Sequence, residues 1–122
     1  MSEPMKSVHK RSTCPVAGAL DLFGDRWSLL VVRDLAAGKR QFKELSASPE
    51  GIASNILSER LLRLAEAGIV EKYVPPDLAG RPAYRLTQKG NSLAPVLASL
   101  AGWGLAHIPG TRRGITPRFT SG

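Results

Sequence analysis

The chain has 122 residues, with 17 Lys and Arg against 10 Asp and Glu and a net charge of +7. That length suits one domain with a real core, for which a partner subunit would bury further surface, and the positive excess favours a polyanion, either nucleic acid or an anionic membrane surface. The longest aliphatic run, residues 29–32, is far too short to span a bilayer, no apolar signal-peptide core opens the chain, and the lone cysteine, Cys14, excludes an internal disulfide, so a reducing cytoplasm is the expected location.

Residues 1–13 show no apolar period and carry Lys6, Lys10 and Arg11, which predicts a loose basic arm. Pro15 suits the first position of a helix, and Val16, Ala19, Leu20 and Phe23 give helical spacing up to Gly24. Asp25 is placed to cap a second helix, in which Trp27, Leu30, Val31, Asp34 and Leu35 keep the period until Gly38. Leu29 and Val32 make this helix apolar over most of its circumference, so it is expected at the centre of the fold.

Residues 39–47, with Phe42 and Leu45, fit a two-turn helix, and the breaker-rich residues 48–51 form a tight turn. Ser54 then reads as the cap of a helix over residues 54–67, with Leu57, Leu61 and Leu64 on its inner side and Gly68 closing it. Helix, turn and capped helix together make a helix-turn-helix pattern. The apolar and polar alternation of residues 69–74, a loop over 75–80 and a return over 81–86 predict a hairpin directly after it, a wing that carries Arg81 and Arg85. Thr87 is placed to cap a last helix with Leu93, Val96, Leu97, Leu100, Ala101 and Trp103 as its stripe, which Pro95 either kinks or interrupts near the start. Beyond Gly104 the chain is aperiodic and adds Arg112, Arg113 and Arg118 as diffuse charge. The expected fold is mainly α (α+β): a basic arm (1–13), a winged helix-turn-helix domain with extra terminal helices (14–106) and a basic mobile tail (107–122).

Catalysis finds little support. His9 and His107 are the only histidines, both in segments expected to be mobile, and no nucleophile triad, metal-ligand set or phosphate loop is present, so neither enzyme activity, metal nor cofactor is expected. Double-stranded DNA is the partner the pattern favours. Lys39, Arg40, Lys43, Arg60, Arg81 and Arg85 are candidates for phosphate contacts, which attract strongly without regard to sequence. Ser54, Asn55 and Ser58 face outward near the front of the third long helix, where short polar groups can reach base edges in a major groove. Each has a plainer alternative. Asn55 is otherwise a solvated first-turn residue, Arg60 pairs with Glu44 or another carboxylate, and Arg85 lines an exposed strand face. Leu62 meets a thymine methyl, packs under the wing, or marks a helical wheel set at the wrong rotation. Trp27 and Trp103 fit a core or dimer interface better than a ligand cage.

Several fragments carry a family resemblance: Cys14-Pro15-Val16, D-L-F-G-D-R-W at residues 21–27 followed by Leu29-Leu30, F-K-E-L at 42–45 and L-S-E-R-L at 57–61. Gly68-Ile69-Val70, Y-R-L-T at 84–87, Gly90 and Trp103-Gly104 continue it. In this order they resemble the HxlR-type transcriptional regulators within the MarR-like winged-helix superfamily. The resemblance implies a homodimer joined through the first and last helices, with Leu20, Leu97, Leu100 and Trp103 as interface candidates, and DNA binding by the helix of residues 54–67. It also implies repression, since a dimer seated on a promoter blocks polymerase.

Cys14 lies at a helix start beside a basic arm, where amide dipoles favour reaction with oxidants or electrophiles. Some regulators that resemble this chain use a cysteine there as a redox or electrophile sensor; the alternative is a small, half-buried structural residue. A second functional reading is a dimeric scaffold for a small-molecule effector or a protein, with an apolar cavity between the first and last helices and only general affinity for DNA.

Overall fold

The structure, a computed structural model, describes residues 11–114. In chain order the elements are α1 (Pro15–Phe23), α2 (Ser28–Ala36), α3 (Phe42–Ser46), α4 (Ser54–Glu66), β1 (Val70–Tyr73), β2 (Ala83–Leu86), α5 (Gln88–Asn91) and α6 (Ala94–His107). Lys6, His9, Lys10 and Arg118 lie outside the described residues. Arg11, expected in a loose arm, is fastened to α1 through a 2.6 Å ion pair with Asp21.

Trp27 holds the cap position of α2, and Asp25, expected there, serves the helix start from two residues earlier. One carboxylate oxygen accepts the Trp27 and Ser28 amides at 2.9 Å each, and the other accepts the Ser28 hydroxyl at 2.6 Å. These bonds occupy amides that a helix start leaves unpaired. Val31, Val32 and Leu35 of α2 then pack with Leu45 of α3, Leu57, Leu61 and Leu64 of α4, and Ile69 and Val70 at the start of the hairpin. Each such side chain contributes roughly 1.5–3 kcal/mol through burial.

The helix-turn-helix is α3, the turn over residues 47–53, and α4. Helix α3 is shorter than the two turns expected. The Glu44 carboxylate reaches back to accept the Arg40 and Gln41 amides at 2.9 and 2.8 Å, which holds the residues before Phe42 outside the helix. Ala53, in extended conformation, takes the cap position of α4, and Ser54 is the first helical residue instead of the cap. Burial of Ile52 and Leu57 on either side fixes this register, so packing outweighs the preference for a capping hydroxyl. At the other end Gly68 adopts φ +77°, and the Ile69 amide donates to the Leu64 carbonyl at 2.9 Å. That closure turns the chain directly into β1.

The wing is a two-stranded antiparallel ladder, with Val70 opposite Leu86 and Tyr73 opposite Ala83. Its joint with the last helices is tight. Thr87 donates its hydroxyl to the Gly68 carbonyl at 2.5 Å and accepts the Gly90 amide at 3.1 Å, while a Cβ on Gly90 would collide with the Ile69 carbonyl oxygen. Thr87 therefore caps α5, and a break at residues 92–93 separates it from α6, with Pro95 in the first turn of the latter. A helix could not run through that point, because proline lacks the amide and disfavours helical conformation in the preceding residue. Helix α6 extends past Gly104 to His107, beyond the expected boundary at residue 106, and stops where Ile108 turns extended before Pro109. His107, expected in a mobile segment, stacks on Trp103 with ring centroids 4.8 Å apart.

Candidate nucleic-acid interface

Helix α4 has one buried side and one open side. Leu57, Leu61 and Leu64 are 0–3% exposed, while Ser54, Asn55 and Ser58 all face solvent. Lys43 is exposed on the neighbouring α3, and Arg81 is exposed where the wing loop enters β2. The Arg81 Nε donates to the Leu78 carbonyl at 3.0 Å, which steadies the side chain without neutralising it. Lys39 is half-buried just before α3.

The other cations named from the sequence have internal partners. Arg60 donates through Nε to Asp25 at 2.8 Å and also pairs with Glu59, so the partner is not Glu44 and the charge is spent joining α4 to the start of α2. Its side chain is mostly buried, so Arg60, expected at a phosphate, is instead an internal link. Arg40 pairs with Asp77 of the wing loop at 2.8 Å. Arg85 pairs with Glu71 across the ladder at 2.6 Å and lies over the Tyr73 ring at 4.0 Å.

A second network, which the sequence does not announce, holds the turn of the motif. Arg33 on α2 bonds Asp34 at 2.9 Å, Glu50 at 2.7 Å and the Ser48 hydroxyl at 3.0 Å. The guanidinium lowers the Glu50 carboxyl to about 2. At Asp25, burial opposes ionisation, but bonds from Ser28, Arg60 and two amides more than offset it and hold the carboxyl well below its usual range. Together these links fix the angle at which α4 is presented. A carboxylate spaced so far from its arginine in sequence leaves no periodic signal, so only the fold brings the pair to light.

Away from this face, Cys14 is exposed and stands at the cap position of α1, which contradicts a half-buried role. Leu20, Leu100 and Trp103 are exposed, whereas Leu97 packs partly against the core. Trp27 also packs on the core, at the entry to α2. A groove of about 570 Å³ runs between α2 and α6, with Leu29, Leu30, Leu100 and Leu105 in its walls and Arg112 and Arg113 at its edge. Among the described residues no cluster of His, Cys, Asp and Glu could hold a metal ion, and no helix is long and apolar enough to cross a membrane.

The arrangement of α3, turn, α4 and hairpin is that of a winged helix-turn-helix, and the profile of the HxlR-like helix-turn-helix family matches residues 22–112. The chain belongs to the HxlR-like family. Among its HxlR-like relatives, the helix-turn-helix-type transcriptional regulator YvaP of Bacillus subtilis is 35% identical over 102 residues, covering 83% of this chain and 94% of YvaP. The crystal structure of PA1607 superposes with a TM-score of 0.77 at 41% identity, covering 87% of this chain and 75% of that one. The regulator YodB of B. subtilis, in its reduced form, superposes with a TM-score of 0.68 at 31% identity over 83% of this chain and all of YodB; it has also been solved after diamide treatment and with quinone bound. The HxlR-like chain is thus a transcriptional regulator of helix-turn-helix type, and no enzyme family is indicated.

Proposed function

We propose that this regulator binds double-stranded DNA sequence-specifically as a homodimer on an inverted repeat, with α4 in the major groove, and represses the promoter it covers. The observation that carries the reading is the open side of α4: Ser54, Asn55 and Ser58 exposed together on a helix whose other side is locked into the core. Asn55 can pair with adenine and the serines with several bases. Lys39, Lys43 and Arg81 supply phosphate contacts, with Arg81 also able to enter a minor groove, and Arg85 joins them only by exchanging Glu71 for a phosphate. The exposed apolar side chains of α1 and α6, Leu20, Leu100 and Trp103, supply the dimer contact, and Leu97 borders them.

Selection of genomic fragments by the purified protein at about 0.15 M salt, where purely phosphate-driven binding is weakened, tests this directly. An enriched inverted repeat, with half-sites about one helical turn apart, is the expected result. Retention of DNA at low salt without any enrichment would overturn it.

The exposure of Cys14 supports control by oxidation, and YodB has structures in reduced, diamide-treated and quinone-bound forms. With one cysteine per chain, diamide would take two hydrogens from a pair of thiols and leave a disulfide between subunits or to a small thiol. DNA release on diamide treatment that persists in Cys14→Ser would remove the cysteine from the mechanism. The groove between α2 and α6 favours a second reading, an effector-binding scaffold. Loss of one phosphate contact in Arg81→Ala flattens the salt dependence by about one unit on the DNA reading and changes nothing on the scaffold reading.

A further inference from the structure

Leu62 is 62% exposed on α4, although Leu57, Leu61 and Leu64 of the same helix are almost wholly buried. That pattern removes two of its three alternatives: the side chain is not packed under the wing, and the helix is not rotated from the expected setting. Asn55 lies seven residues before Leu62 and Ser58 four before it, so all three share the open side. Glu59 and Glu66 are also exposed there; Glu59 is paired with Arg60, which reaches Asp25 as well, and Arg63 is turned to the Asp21 carbonyl. The stripe therefore presents an apolar Leu62 between small polar groups, with the Glu59 charge offset by Arg60. It is compatible with the floor of a major groove, where thymine displays an apolar methyl and cytosine an amino group that a carboxylate can accept.

We propose that Leu62 is a specificity-determining residue that reads the 5-methyl group of a thymine in each half-site. This rests on the DNA-reading role of α4 proposed above. Seven residues of helix span about 10 Å, or about three base steps, so the thymine falls that far from the base paired by Asn55. Leucine gives contact without a hydrogen bond, so it discriminates by the methyl alone. Loss of one methyl contact corresponds to about a fourfold change in affinity.

The test uses the full-length protein and a duplex carrying the selected inverted repeat, in which each thymine is replaced in turn by deoxyuridine, a change that removes only the methyl group. Fluorescence anisotropy is expected to show one position per half-site where the replacement weakens binding about fourfold. Leu62→Ala, which is solvent-facing and keeps a good helix former, is expected to bind the thymine and uridine duplexes equally, at the affinity of the parent protein for uridine. Wild-type indifference to uridine at every position, or discrimination that survives in Leu62→Ala, would overturn the role of Leu62. If Asn55→Ala abolishes selection in the same experiment, the α4 reading still stands. Failure to select any repeat removes both.

Discussion

Helices α4 and α6 are nearly equal in length, at 13 and 14 residues, and differ in how much of their packing is completed within the chain. Helix α4 inserts Leu57, Leu61 and Leu64 into the core, is pinned laterally through Arg60, and exposes a mainly polar side. Helix α6 has no buried residue and leaves Val96, Leu100, Trp103 and Leu105 exposed. One helix is a finished part of the domain. The other leaves these large apolar side chains uncovered, the kind of surface that marks interaction sites in other proteins. On the proposed reading, specificity would rest on an element that the fold already holds rigid, and assembly on one that the fold leaves unfinished.

The contrast predicts very different responses to substitution. Leu57→Ala should lower unfolding stability by about 2–5 kcal/mol in urea titrations, because it leaves a cavity at the centre. The double replacement Leu100→Glu with Trp103→Glu should leave the helical signal intact in circular dichroism and shift the sedimenting species from dimer to monomer. A loss of folding in that variant would show α6 to be as necessary to the single chain as α4, and the contrast would fail. Asp25→Asn removes the charge that receives Arg60 and should reduce stability by about 1–3 kcal/mol, with a larger loss in DNA affinity than in Arg85→Ala, whose exposed pair is worth about 0.5 kcal/mol.

The smallest effect is a pH dependence. Glu50 titrates at about 2 in the folded chain against an ordinary value of 4.5, so its contribution is present above about pH 4.5 and is lost as the pH falls toward about 2. Because that carboxylate is about one-third exposed, the difference should stay below about 1 kcal/mol. Glu50→Gln should flatten the stability profile over that interval; an unchanged profile would assign acid sensitivity to Asp25 instead.

Much of the plan was legible because the punctuation and the packing agree. Pro15, Asp25, Gly38 and Gly68 mark ends that the structure uses, and Leu57, Leu61 and Leu64 set a rotation that burial bears out. Ser54 misled because a hydroxyl before a helix is a local preference, whereas the register is decided by where Ile52 and Leu57 find room. The last helix was legible at its start and misread at its end. The interruption near Pro95 is the alternative observed, with Thr87 capping a separate turn of helix, whereas Gly104 stays helical because nothing there requires a left-handed backbone. The charges around the interface were the least legible part. Composition shows how many arginines there are, but only the fold shows that Arg33, Arg40 and Arg60 already have carboxylates of their own.

The amide of Tyr84 donates to the Arg40 carbonyl at 2.8 Å, on the side of β2 that faces away from β1. A two-stranded ribbon normally offers two free margins to any extended peptide that drifts past. Here one margin is occupied by the segment leading into α3, and the other belongs to a strand that displays Glu71 and Lys72. The wing is thereby discouraged from zipping onto the wing of a neighbouring copy, however crowded the surroundings.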